Sequence, residues 1–173
     1  MILQGKLVFL RALELCDVDL LYKWENDPEV WTISNTLKPF SRYTLEEFIR
    51  VSVVDIFESK QLRLMINEVK SNNTVGIIDI FEFDPFHLRA GIGILIAKEY
   101  RRLGYASESI KLVKEYLFSV LKVHQVFCNI LADNQISISL FEKAGFKICG
   151  NKKEWILSQE GFVDEYMLQC FNS

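Results

Sequence analysis

The stretch that most constrains this 173-residue chain runs from Leu88 to Ser107, LRAGIGILIAKEYRRLGYAS. Its first half, Ala90 to Ala97, is apolar, with Ile92, Ile94 and Ile96 on one face and Leu95 on the other. That pattern predicts a strand buried on both sides. Gly91 and Gly93 interrupt it and predict a bulge or a close backbone approach. Arg101, Arg102, Gly104 and Ala106 follow, and then an amphipathic helix. A strand therefore feeds a loop of small and basic residues that opens a helix. Free N–H groups can converge there on an anion, at the positive end of the helix dipole. A pyrophosphate suits such a site, and Gly104 can take the positive φ that a close approach to phosphate asks for. By itself the hexamer also fits an ordinary strand-to-helix turn with two solvated arginines. It is not a G-x-G-x-x-G fingerprint, which disfavours a dinucleotide-binding oxidoreductase.

Half the residues are hydrophobic and a quarter are charged, which predicts a folded chain with a real core. The expectation is one domain over residues 1–173. No apolar run is long enough to span a membrane, and Met1 to Arg11 shows no signal-peptide pattern, so a cytoplasmic protein without membrane partners is expected. The formal net charge of -3 argues against nucleic acid and is compatible with a cationic substrate. Cys16, Cys128, Cys149 and Cys170 form no C-x-x-C pair and suit no zinc site, so no metal is expected. They read as reduced and mostly buried.

In chain order, Lys6 to Leu13 reads as a first strand. Asp17 is a candidate N-cap for a helix carrying Leu20, Leu21 and Trp24, which Asn26-Asp27-Pro28 ends. Trp24 reads as a core anchor rather than a substrate contact. Thr44 and Glu47 suggest a capping box for a second helix with Phe48, Val51 and Ile56 on its apolar side. Glu14, Asp17, Asp19, Glu25, Asp27 and Glu29 form a dense acidic run, either a solvated face or an attraction for amines. Leu62 to Val69 and Val75 to Phe83 predict two strands, and Asp84-Pro85 turns the chain into the glycine-containing strand. The helix after the loop covers about Tyr105 to Lys122, with Ala106, Ile110, Val113, Leu117 and Val120 toward the core and Lys111, Lys114 and Glu115 in solvent. Val126 to Ala132 then returns parallel to the glycine strand through a right-handed crossover. A short helix opens at Asp133-Asn134, turns Ile136, Leu140 and Ala144 to one face, and ends at Gly145. Lys152 to Leu157 and Phe162 to Cys170 predict a closing hairpin around Gly161. Helices between runs of strands indicate an α+β domain.

Arg101-Arg102-Leu103-Gly104-Tyr105-Ala106 resembles the acetyl-CoA motif of the GNAT family of N-acetyltransferases. Leu10 to Val30 resembles the opening of the ribosomal-protein and spermidine branches of that family, and the segment DIFEFDPFHLRA resembles the matching stretch of its spermidine branch. NQISISLFEKAGF resembles the family's second cofactor motif. The resemblance implies the GNAT fold, a mixed sheet of about seven strands with helices on both faces. It implies acetyl transfer from acetyl-CoA to an amine, with a polyamine-like small molecule or a protein N-terminus as acceptor, and it allows a homo-oligomer. The cofactor residues it implies are Ile94, Leu95 and Ile96 on the strand, Arg101, Arg102, Leu103, Gly104, Tyr105, Ala106 and Ser107 in the loop, and Asn134, Phe141 and Lys143 on the last helix.

Acetyl transfer needs a deprotonated amine and an N–H donor for the oxyanion. The strand at Ile94 to Ile96 offers the donor. Glu82, at the end of its strand, is the candidate general base, directly or through water; its other reading is a solvated edge carboxylate. Asp79 is either functional or paired, and His87 and His124 read as structural or solvated. Two positions depart from the family pattern: Phe141 stands where many members carry a tyrosine acid, and Gly91 stands where they carry a glutamate. These departures leave a second reading, a CoA-binding regulatory module with impaired catalysis.

Overall fold

A computed structural model describes residues 3–34, 36–158 and 160–172. Met1 and Ile2 of the N-terminal stretch, and Gln159 beside the hairpin turn, lie outside them. The strands are β1 (Val8–Ala12), β2 (Leu62–Glu68), β3 (Thr74–Asp84), β4 (Arg89–Ile96), β5 (Gln125–Leu131), β6 (Lys147–Ser158) and β7 (Gly161–Phe171). They form one seven-stranded sheet in the order β1-β2-β3-β4-β5-β7-β6. Neighbours are antiparallel except β4 and β5, which run parallel because the chain crosses between them through α5 (Tyr105–Ser119).

The other helices are α1 (Val18–Glu25), α2 (Pro28–Ser34), α3 (Arg42–Val51), the single turn α4 (Ile56–Ser59) and α6 (Gln135–Lys143). Strand alternation divides them between the faces of the sheet. Met65 and Ile77 pack with Leu21 and Trp24 of α1 and Leu45 and Ile49 of α3. Their chain neighbours Ile66 and Ile78 point the other way, into a core built with Ile110, Val113 and Leu117 of α5 and Ile138 and Phe141 of α6. The mixed sheet with helices on both faces is therefore the one the family resemblance implies, and Trp24 is a core anchor, as read from the sequence.

Several local expectations are corrected. Asp17 precedes α1 but does not cap it; its carboxylate turns back to the Arg11 guanidinium at 2.7 and 2.8 Å and to the Glu14 N–H at 2.8 Å. A buried ion pair outcompetes the cap. Ser41 rather than Thr44 caps α3, accepting from the Thr44 N–H, so the apolar stripe shifts to Leu45 and Ile49 and Val51 is exposed. Val120 lies past the end of α5 and is exposed. On α6, Ile138 and Phe141 face the core, while Ile136 is 78% exposed. Cys128 and Cys170 are buried, but Cys16 and Cys149 are exposed. The closing hairpin is longer than predicted, beginning at Lys147.

The glycines of β4 make no bulge there. The β3–β4 register is continuous from Gly76↔Ile96 to Phe81↔Gly91, and the irregularity lies between Phe81 and Asp84, where Glu82 takes φ 47°. Gly91 is required because the Phe81 ring fills its side-chain space: a Cβ would stand 2.3 Å from Phe81 Cε2. Phe81 in turn packs edge-on against Phe127 of β5, with centroids 5.6 Å apart. β4 and β5 pair from Arg89↔Gln125 to Gly91↔Phe127 and no further. Beyond that point they part, leaving a wedge that opens toward the C-terminal end of β4.

Candidate functional site

At the mouth of the wedge the chain passes from β4 through a turn at Lys98–Tyr100 into α5. Arg102 (φ 66°) and Gly104 (φ 87°) both take left-handed conformations around Leu103. Such alternation turns successive N–H groups to one side, a nest for an anion. No side chain caps α5, and its first backbone bond is Glu108 N–H to Gly104 C=O. Among the described residues, no hydrogen bond takes up the N–H groups of residues 102 to 107. Six consecutive donors at a helix N-terminus could hold a pyrophosphate.

Register decides which groups line the wedge. The Ala97 N–H donates to Val75 C=O at 2.9 Å, which makes Ile77/Leu95 and Asp79/Gly93 the hydrogen-bonded pairs of β3 and β4. The backbone of Leu95 therefore serves β3, and its side chain packs on the α1–α3 face. The N–H groups of Ile94 and Ile96 instead face the wedge. Of the three strand residues the resemblance implies, the tertiary structure offers the backbone of two. Ile96 C=O is occupied by Arg101 Nε at 3.1 Å, so Arg101 braces the strand end. On the opposite wall, the Ala132 N–H to Asp164 C=O bond sets the β5–β7 alternation and turns the backbone of Asn129 and Leu131 inward. From Ile96 to the closed end at Gly91 the wedge is five residues long, roughly 17 Å at the rise of a strand. That is on the order of an extended pantetheine arm.

Outside the wedge, a cleft of about 490 Å³ is lined by Leu7, Gly104, Ser107, Glu108, Lys111, Lys114, Lys143 and Ala144. Lys111 and Lys114, read from the sequence as solvated, belong to its wall, and Lys114 also donates to Ala144 C=O. The missed signal was their spacing from Ser107, four and seven residues along one helix face. Glu108 accepts the N–H groups of Lys6, Leu7 and Val8 at 3.0, 2.7 and 2.8 Å. Burial pushes its carboxyl up, but those three donors and Lys111 hold it below its ordinary value. No local signal announces this contact, since its partners are about a hundred residues apart in sequence.

The remaining residues fall as follows. Leu103 is exposed; Tyr105 is buried and donates its hydroxyl to Glu68, which pushes its pKa up to about 12. Tyr105 therefore offers the loop its backbone only. Ala106 packs against the α5 core. Asn134 caps α6, accepting from the Ser137 N–H at 3.2 Å, and stands where β5 leaves the wedge. Phe141 is 3% exposed and packs edge-on with Phe146, so its ring belongs to the core rather than to a cleft wall.

On the α1–α3 face, Asp79 accepts both Nε and Nη2 of Arg63 at 2.7 and 2.8 Å, and Glu25 takes Nη1. Burial pushes the Arg63 guanidinium down, and the two carboxylates more than reverse that. Of the acidic run, Asp17, Glu25, Asp19 and Glu29 are all paired, with Arg11, Arg63, Arg42 and Lys98. Glu82 is exposed at the β3 bulge and lines a separate cleft with Lys60, Phe83, Asp84, Pro85, Phe86 and Arg89. His87 stacks edge-on with Phe86, and His124 lies against Phe171.

The model of the acetyltransferase (GNAT) domain matches residues 8–147. The spermidine N(1)-acetyltransferase of Vibrio cholerae serotype O1 is 26% identical over 138 residues, covering 79% of this chain and 77% of that protein. The crystal structure of the spermidine N-acetyltransferase from Vibrio cholerae in complex with CoA and spermine superposes with a TM-score of 0.88 at 22% identity, over 96% of each chain. A dodecameric structure of the same enzyme superposes with a TM-score of 0.81 at 22% identity, over 96% of this chain and 95% of that one. These matches favour an enzyme over a CoA-binding module that has lost catalysis. A strand, a phosphate-sized nest of amides and an open wedge thus meet in one chain of known descent: it belongs to the GNAT family, and it is an N-acetyltransferase that moves an acetyl group from acetyl-CoA to an amine.

Proposed function

We propose that the acceptor is a polyamine-like small amine, seated on the α1–α3 face over Gly93. The observation that carries this is the Glu25–Arg63–Asp79 cluster beside that glycine. Two carboxylates against one guanidinium leave one excess negative charge. Asp79 lies opposite Gly93 in the register, and above Gly93 the nearest atom to a Cβ would be Phe81 Cε1 at 3.7 Å. The face is thus open and acidic, which suits an alkylammonium. The similarity to a spermidine acetyltransferase supports the same reading.

The cofactor's pyrophosphate rests on the amides of 102 to 107 and its pantetheine arm in the wedge. An ammonium with a pKa near 10 must lose a proton before it attacks. Glu82 takes that proton through bridging water, because it stands at the β3 bulge beyond the Phe81↔Gly91 pair rather than beside Gly93; among the described residues no hydrogen bond or ion pair engages it, whereas Asp79 is held by Arg63. The Ile94 N–H receives the developing oxyanion. The thiolate leaves without a dedicated acid, since a thiol pKa near 8.5 makes it a tolerable leaving group.

Self-association is part of the proposal. The outer strand β6 carries exposed Trp155 and Leu157 along an unpaired edge, and a dodecamer is described for the Vibrio cholerae enzyme. Light scattering that gave a monomer would remove it. So is a cytoplasmic setting: no described helix is long and apolar enough to cross a membrane, and the exposed thiols of Cys16 and Cys149 suit a reducing compartment. Cell fractionation checks this.

The deciding experiment is release of CoA thiol from acetyl-CoA with spermidine, spermine, short diamines and peptides carrying free N-termini. Turnover with polyamines and little with peptides is expected. The reverse preference would assign a protein N-terminus instead.

A further inference from the structure

Among the described residues, Glu108 is the one acidic side chain on the wall of a cleft otherwise suited to phosphate. A carboxylate there repels an anion, so its presence asks for a physical reason. The N-terminal segment supplies one. Gly5 N–H donates to Val8 C=O at 2.8 Å, closing a turn whose amides at Lys6, Leu7 and Val8 all point at the Glu108 carboxylate. A side chain at Gly5 would displace the carboxylate: a Cβ would stand 2.4 Å from Glu108 Cδ. Leu7 is then held from both sides, by Glu108 through its N–H and by the Val69 N–H at 2.8 Å through its C=O. Its Cδ1 lies 3.3 Å from where a Cβ on Gly104 would be. The clamp thus presses Leu7 against the one loop glycine that has a left-handed backbone.

We propose that Glu108 is a positioning residue for the cofactor loop: seated in the amide nest of Lys6 to Val8, it sets Leu7 against Gly104 and so fixes the aim of the free amides at 102 to 107. This rests on the reading of those amides as the pyrophosphate site. It goes beyond that reading in making a segment remote in sequence, and a carboxylate, responsible for anion affinity. The repulsion between Glu108 and a phosphate is offset because three N–H donors neutralise its oxygens.

The test is calorimetric titration of CoA into the purified protein and into Glu108→Ala, Glu108→Gln, Gly5→Ala and the Gly5→Ala/Glu108→Ala pair. Gly5→Ala evicts the carboxylate without changing any charge in the cleft. The single variants should each raise the CoA Kd about tenfold or more, while the KM for the amine, measured at saturating acetyl-CoA, stays within about twofold. The double variant should bind no worse than Glu108→Ala alone, because the methyl group then has nothing left to displace. Folding is followed by circular dichroism, and Gly5→Ala and Glu108→Gln serve if the alanine variant at 108 does not fold. A lowered melting temperature with unchanged CoA affinity would make Glu108 a structural tie only and overturn the proposal. Tighter CoA binding in Glu108→Ala would overturn it in favour of simple repulsion. Failure of the unaltered protein to bind CoA would instead remove the pyrophosphate site on which the proposal rests.

Discussion

The ring of Phe81 occupies the volume that a side chain at Gly91 would need, with Cε2 2.3 Å from the position of a Cβ. Because the two residues face each other across β3 and β4, one cannot grow unless the other shrinks. This accounts physically for a glycine at position 91.

Gly91→Ala should therefore lower stability by about 1–3 kcal/mol, the range for overpacking a tight site. The same change in a Phe81→Leu background should cost markedly less. Urea unfolding of the four proteins gives the coupling; additive losses would show that the two positions do not compete for one volume.

Gly104→Val should raise the CoA Kd by an order of magnitude or more in a folded protein. A branched residue is strained at φ 87°, and the added atoms would meet Leu7 and crowd the phosphate. Calorimetry gives the affinity and circular dichroism the fold. An unchanged Kd would place the pyrophosphate elsewhere.

Glu82→Gln should lower kcat/KM by roughly 10²-fold, as for loss of a general base, with CoA affinity retained. The loss should shrink as pH rises and free amine becomes available. Asp79→Asn should behave differently. It breaks a pair whose side chains are 18% and 30% exposed, and should cost about 1–3 kcal/mol of stability, less than a fully buried pair. Its pH–rate profile should keep its wild-type shape, while the KM for the amine rises because the cluster loses its excess negative charge. Wild-type rates from pH 6 to 9 in Glu82→Gln would move the base to another group.

The Asp17–Arg11 pair predicts a pH dependence of stability. Burial raises the Asp17 carboxyl, but the Arg11 guanidinium and the Glu14 N–H bring it below its ordinary value. The folded state therefore prefers the ionised form. Its contribution is fully present above the unfolded pKa near about 4 and is lost as pH falls through the lower folded value. The stability gap between the native protein and Asp17→Asn should be widest near neutrality and narrow below about pH 4. Urea unfolding from pH 7 to pH 3 measures it; a constant gap would mean that Asp17 does not titrate with folding.

Local pattern was enough for the strands, the two long helices and the loop between β4 and α5. Period-two and helical spacing, proline and glycine punctuation, and a basic glycine loop after an apolar strand all act within a few residues. The choice between neighbouring caps was not local. Asp17 and Thr44 are both good cap types, yet Asp17 was drawn to Arg11 and Ser41 held the α3 cap. Nor was the fate of the acidic run, because Glu25 and Asp17 found arginines on other elements.

What the sequence by itself determined was an α+β chain with an anion-ready loop at a strand–helix junction. What only the tertiary structure decided was which groups that junction exposes. Hydrogen-bond register gave the backbone of Leu95 to β3 and left Ile94 and Ile96 facing the wedge. Packing put Phe141 in the core and Lys111 on the cleft wall. A carboxylate at Glu108 came to serve amides about a hundred residues away. Spacing along a chain sets which face a side chain takes, but a partner across the sheet is chosen by register, and register is fixed only when the faces of all the strands are buried together.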